Sequence, residues 1–132
     1  MDNLLNDLSG AEWLYWTNTL YQTNFPLDVT HQLRKLHGAI KPPELMADII
    51  KFFTKKGETL LDPFAGVGGT LLGAALAGRK AIGIELNQEW IRIYREIQER
   101  FSLGENGLSV DGGKRICGEM LHGDCLKKMK EI

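Results

Sequence analysis

The sequence predicts an α/β domain built on a parallel sheet. Three observations carry that prediction: a glycine-rich turn joining an apolar strand to an apolar helix, a second strand closing on an acidic residue, and helical apolar spacing around both. The turn is Asp62-Pro63-Phe64-Ala65-Gly66-Val67-Gly68-Gly69-Thr70. Glu58 to Leu61 enters it as a short strand, and Leu71, Leu72, Ala74, Ala75 and Leu76 leave it as a packed helix ending at Gly78. Lys80 to Glu85 forms the second strand. Asn87 then caps a helix in which Trp90, Tyr94, Ile97 and Phe101 step by four, three and four. This order implies parallel strands joined by right-handed crossovers, in a sheet covered on both faces.

Upstream, Pro42 and Pro43 suit a first helical turn, and Leu45, Ile49 and Phe52 recur at helical spacing beside Met46, Ile50 and Phe53. The pattern predicts a helix from about residue 43 to 55, with Lys55 and Lys56 near its negative end and Gly57 as a left-handed cap. Residues 1–36 form an N-terminal segment, partly helical, in which Trp13, Trp16 and Leu20 would share one face as core or interface. Downstream, Gly104, Gly107, Gly112, Gly113 and Gly118, mixed with Asn106, Ser109 and Asp111, predict a loop or small hairpin. A strand near Glu119 to His122 leads into Gly123-Asp124-Cys125 and a short helix.

Composition limits the function classes. With 132 residues, 43% apolar and 25% charged, the chain reads as one soluble globular unit. It holds no run of about eighteen apolar residues, and its N-terminus has no signal-peptide pattern, so a cytoplasmic protein with no membrane partner is expected. Cys117 and Cys125 match no metal or redox spacing and are expected to be reduced, with no metal bound. A net charge of -1 gives no whole-chain field to hold a polyanion. The basic residues Arg34, Lys35, Lys41, Lys51, Lys55 and Lys56 read as solvated helix faces.

The chemistry sits at the strand ends. A glycine turn after a first parallel strand lets backbone approach a ligand closely and presents free helix N–H groups to it. Glu85, at the end of the second strand and 23 residues beyond Asp62, can accept from both hydroxyls of a ribose and would repel a 2′-phosphate. The dinucleotide pattern GxGxxG fails at Leu71, and no GxxxxGK[ST] loop occurs, so NAD is disfavoured and ATP bound through that loop is excluded.

The turn Asp62 to Thr70 resembles motif I of the DNA amino-methyltransferases, DPFxGSGTT, with Val67 and Gly69 in place of the preferred Ser and Thr. In order along the chain, His37-Gly-Ala-Ile-Lys41-Pro42 resembles motif X, Ile84-Glu85-Leu86-Asn87 motif II, and Gly123-Asp124-Cys125-Leu126 motif III. The resemblance runs from His37 to the C-terminus. It implies a partial Rossmann-like S-adenosylmethionine-dependent methyltransferase fold over residues 37–132, with about three strands and flanking helices. It also implies S-adenosyl-L-methionine as cofactor, held by His37, Lys41, Asp62 to Thr70, Glu85, Leu86, Asn87, Asp124 and Cys125. Glu85 would hold the ribose and Asp124 the adenine amine. Several of these have a simpler alternative: Glu85 as a solvated strand end, Gly66 and Gly68 as a tight turn, and Asp124 as an N-cap. His31 and His122, outside the motifs, read as surface residues.

The resemblance implies an activity on exocyclic base nitrogens, adenine N6 or cytosine N4. Relatives carry a (Asp/Asn/Ser)-Pro-Pro-(Tyr/Phe) loop whose polar groups accept from the amine while its ring stacks on a flipped base. No such tetrapeptide occurs here; Asn24-Phe25-Pro26-Leu27 and Lys41-Pro42-Pro43-Glu44 fail at its key positions. The expectation is a cofactor-binding half without its catalytic half. It would be either a piece of a longer enzyme or one member of a split enzyme, meeting DNA through the missing half or a partner chain. A non-catalytic binding subunit, or an enzyme acting on RNA or a small amine, are the alternatives. An unfilled sheet edge beside Leu60 and Leu61 would favour self-association.

Overall fold

The computed structural model describes residues 3–18 and 20–132. Helix α1 (Gly10–Trp16) begins at a capping box in which Ser9 accepts from the Glu12 amide and Glu12 accepts from that of Ser9. Leu20 lies beyond the end of α1 and is exposed, so only Trp13 and Trp16 of the expected stripe are helical. Helix α2 (His31–Arg34) runs into a 3-10 turn (Lys35–His37) that ends on Gly38 at φ +77°.

Helix α3 (Pro43–Phe53) has Pro43 in its first turn and ends two residues before the predicted boundary at 55. Thr54 is extended and its hydroxyl donates to the Ile50 carbonyl at 2.6 Å, satisfying a free helix end. Lys55 and Lys56 therefore lie in the turn that follows. Gly57, at φ +81°, shapes that turn and does not cap the helix.

The sheet is built as predicted, with small shifts at the ends. Strand β1 (Thr59–Asp62) is followed by α4 (Gly69–Ala77), β2 (Lys80–Glu85) and α5 (Gln88–Arg100). The glycine-rich stretch folds as β3 (Ser102–Gly104), β4 (Gly107–Ser109) and β5 (Lys114–Arg115), an antiparallel sheet in the order β4-β3-β5. Strand β6 (Glu119–His122) then leads into α6 (Cys125–Lys128) and a 3-10 turn (Met129–Glu131). The main sheet is parallel in the order β1-β2-β6, pairing Asp62 with Gly83 and Gly83 with Met120.

Close packing on one face of this sheet depends on absent side chains. A Cβ on Gly83 would sit 2.7 Å from the Ala65 Cβ and 2.9 Å from Leu71 Cδ1, and one on Gly73 would sit 2.6 Å from the Met46 Cβ. These glycines let the turn lie on β2 and let α3 press against α4. Leu71, Leu72, Ile91, Tyr94 and Ile97 are fully buried in the resulting core. Each large apolar side chain so buried contributes about 1.5–3 kcal/mol.

The other face is less covered than expected. Leu61, paired with Ile82, is 42% exposed, and Ile82 and Leu121 are half-buried. Only Ile84 on that face is fully enclosed, beside Leu126 of α6. Among the described residues no strand lies outside β1, so the strand feeding the glycine turn is an edge and β2 is central.

The N-terminal segment straps the back of this unit. Buried Asn6 donates its side-chain amide to the Phe52 carbonyl, and Asp7 accepts from the Lys56 amide at 2.9 Å. Trp13 meets the Phe52 ring at 4.8 Å, placing it at an internal contact. No described helix is long and apolar enough to cross a membrane.

Candidate cofactor site

The C-terminal ends of β1, β2 and β6 open on one rim, and two hollows occur there. One, of about 130 Å³, is bordered by Arg34, His37, Lys41, Asp62, Phe64, Ala65, Gly66, Val67, Gly69 and Thr70. The other, of about 230 Å³, is bordered by Pro63, Phe64, Glu85, Leu86, Asp124 and Cys125. Phe64, 77% exposed, is a wall of both. Small-molecule pockets commonly span about 300–1,000 Å³, so a nucleoside-sized ligand needs both hollows and must pass Phe64.

The turn between β1 and α4 is held by its neighbours. Asp62 Oδ1 accepts from the Phe64 amide at 2.9 Å, and the Ala65 amide donates to the Ile84 carbonyl at 3.0 Å. Glu85 secures the rest: Oε2 accepts from the Gly66 amide at 2.8 Å and Oε1 from the Asn87 amide at 2.8 Å. A carboxylate oxygen has two acceptor sites, so each retains one for a ligand hydroxyl. The simpler reading of Glu85 as a solvated strand end therefore misses its structural task, which is to tie the turn to the end of β2.

Two further positions shape the turn. Gly66 has φ +55°, and a Cβ there would sit 3.1 Å from His37 Nε2. Gly68 has φ +84°, and its Cβ would sit 2.2 Å from the Tyr94 ring. Burial pushes the Tyr94 phenol well above its ordinary range, so it stays protonated. Of the residues predicted to bind cofactor, Gly68 and Asn87 line neither hollow. Gly68 makes room for Tyr94, and Asn87 caps α5 by accepting from the Glu89 amide at 2.9 Å.

Asp124 shows both of its possible roles at once. Its Oδ1 accepts from the Leu126 amide at 2.8 Å, capping α6, while the side chain also borders the second hollow. His37 packs edge-on to Trp90 at 5.1 Å, and its buried Nδ1 has no hydrogen-bond partner. His122 is exposed and its Nε2 lies 3.0 Å from the Leu86 carbonyl, while His31 is half-buried.

Arg34 is where the sequence reading fails. Expected on a solvated face, it is 1% exposed and paired with Asp28 at 2.7 Å, and it borders the first hollow. The only sequence signal is the spacing Asp28, Thr30, Arg34, which places a hydroxyl four and an acid six residues before the cation. That pattern is too common to decide burial.

A parallel sheet with a glycine turn, an acid at the next strand end and hollows on the same rim defines a partial Rossmann-like α/β fold. A sequence profile of the DNA methylase family matches residues 8–96, and the chain belongs to that family of DNA amino-methyltransferases. The match begins well upstream of His37, so the kinship also covers most of the N-terminal segment. The Type II methyltransferase M.HindIII of Haemophilus influenzae is 34% identical over 111 residues, 83% of this chain and 35% of that protein. M.BglI of Bacillus subtilis is 33% identical over 103 residues, 76% of this chain and 28% of its own length. M2.DpnII of Streptococcus pneumoniae is 42% identical over 60 residues, 46% of this chain and 22% of its own. The chain spans about a fifth to a third of the length of the curated relatives it matches.

Proposed function

We propose that this chain is the S-adenosylmethionine-binding portion of a site-specific DNA methyltransferase acting on exocyclic amino groups, adenine N6 or cytosine N4. The observation that carries the reading is the pair of hollows meeting at Phe64, with Glu85 bordering one and Asp62 the other. The cofactor supplies a methyl group made electrophilic by its sulfonium. The chain's own residues bind and orient it. Glu85 offers its remaining acceptor sites to the ribose hydroxyls, and the uncommitted oxygen of Asp124 is available to the adenine amine. The bare Cα of Gly66 and the edge of Phe64 let the ligand lie against the turn.

Activating a base amine needs acceptors that this sequence does not carry in the family's tetrapeptide form. The isolated chain is proposed to bind cofactor without turning it over. DNA contact and the amine acceptors would come from further polypeptide or a partner chain. The bare outer edge of β1, with exposed Leu61 beside it, supports a further strand joining there.

Titration calorimetry with S-adenosylhomocysteine, which carries no transferable methyl group, tests the reading. Glu85→Ala is expected to weaken binding by about 1.5–3 kcal/mol, the worth of hydrogen bonds to a charged group. Unchanged affinity in a folded variant would remove the role given to Glu85. A methylation assay of the isolated chain on DNA, RNA and small amines should show no turnover. Turnover on DNA alone would overturn the binding-only part, and turnover on RNA or an amine would change the substrate class.

A further inference from the structure

We propose that His122 is a positioning residue for ribose recognition, acting through the peptide that joins Leu86 to Asn87. The inference rests on the cofactor reading above. His122 ends β6 in register with Glu85 at the end of β2, and the Gly123 amide donates to the Glu85 carbonyl at 3.0 Å. That pairing brings the imidazole beside the turn into α5, where its Nε2 lies 3.0 Å from the Leu86 carbonyl. A carbonyl can only accept, so Nε2 carries the hydrogen and donates. His122 itself borders neither hollow.

The Leu86 carbonyl and the Asn87 amide are the two ends of one planar peptide unit, and in a trans peptide they point in opposite directions. The Asn87 amide donates to Glu85 Oε1 at 2.8 Å. The unit is therefore gripped from both sides, by the imidazole on its oxygen and by the carboxylate on its nitrogen. Leu86 is 70% exposed, so packing of its side chain does little to hold the turn.

Without the grip on the carbonyl the peptide is free to rotate, its amide leaves Oε1, and the Glu85 carboxylate keeps only the Gly66 amide on Oε2. One tether fixes one oxygen. Two fix the plane of the carboxylate, and with it the directions in which its remaining acceptor sites face a pair of neighbouring hydroxyls. His122 thus aims Glu85 at the ribose without touching the ligand.

Calorimetric binding of S-adenosylhomocysteine and of its 2′,3′-dideoxyribose analogue tests this. His122 is exposed, so its replacement leaves the core untouched. His122→Ala should weaken the ribose form about three- to tenfold, the worth of one hydrogen bond, and leave the dideoxy form within about twofold. Glutamine can place an amide N–H near the position of Nε2, so His122→Gln should restore the affinity to within about twofold. In a Glu85→Ala background His122→Ala should have no further effect, because the carboxylate it aims is gone. Hydrogen exchange of the Asn87 amide, measured without ligand, should quicken in His122→Ala and recover in His122→Gln. An equal loss of both ligands, or the same loss with and without the Glu85 carboxylate, would make His122 a general support of the fold and overturn the proposal. Unchanged binding in His122→Ala beside weakened binding in Glu85→Ala would overturn it too and leave the role of Glu85 standing. Failure of the unmodified chain to bind S-adenosylhomocysteine would overturn the cofactor reading itself.

Discussion

Replacing Gly68 by alanine puts the geometry of the glycine turn under direct test. The added Cβ would lie 2.2 Å from Cδ2 and 2.7 Å from Cε2 of the Tyr94 ring. That ring is fully buried, and its hydroxyl sits against Gly118, where a Cβ would come within 2.5 Å of it. The ring cannot swing aside without disturbing the β6 side of the sheet. Forcing an extra methyl into a packed interior costs about 1–3 kcal/mol. Gly68 also sits at φ +84°, and a side chain held there adds about 1 kcal/mol. The expected destabilisation is about 2–4 kcal/mol.

Urea unfolding followed by circular dichroism reads this as a lower midpoint, by about 1–2 M for a slope near 2 kcal/mol/M. Introducing Gly68→Ala into a Tyr94→Ala background separates the two contributions, because only the backbone strain should then remain, about 1 kcal/mol. A cost below about 0.5 kcal/mol in the native background, or the same cost in both, would refute the packing argument.

Other outcomes follow from the same geometry. Asn87→Ala removes the cap of α5 and should lower stability by about 1 kcal/mol, read as a shift in thermal midpoint, with the Glu85 contact to the residue 87 amide retained. Because burial raises the Tyr94 phenol above its ordinary value of 10.0, the folded state holds this proton more tightly than the unfolded state. Its contribution to stability is complete below that pH and is lost as pH climbs above it. Tyr94→Phe should therefore flatten the fall in urea midpoint between about pH 9.5 and 11, and an unchanged slope would assign alkaline unfolding to other groups.

What the sequence reveals and what it hides follow from how local each constraint is. Gly66, Gly68 and Gly78 advertise positive φ, and a helix start or stop next to them is legible because the requirement lies within a few residues. Asn87 and Asp124 announce their capping in the same way. The end of α3 is less legible, since Lys55, Lys56 and Gly57 read as a basic last turn and its glycine cap while the chain has already turned at Thr54. The burial of Arg34 depends on the Lys41 carbonyl and on Asp28 arriving from either side, which no periodicity encodes. The candidate site divides in the same manner: the strand-end acids are visible in the motif order, whereas the double duty of Glu85 appears only when the Gly66 and Asn87 amides are placed against it.

A crystal structure of this chain grown with S-adenosylhomocysteine is the most direct test of the cofactor crevice. Density should run from the Asp62 hollow past Phe64 to Asp124, with both ribose hydroxyls within hydrogen-bond reach of the Glu85 carboxylate. A crevice left empty at saturating ligand, or closed by Phe64 and its neighbours, would contradict the binding role assigned to this rim.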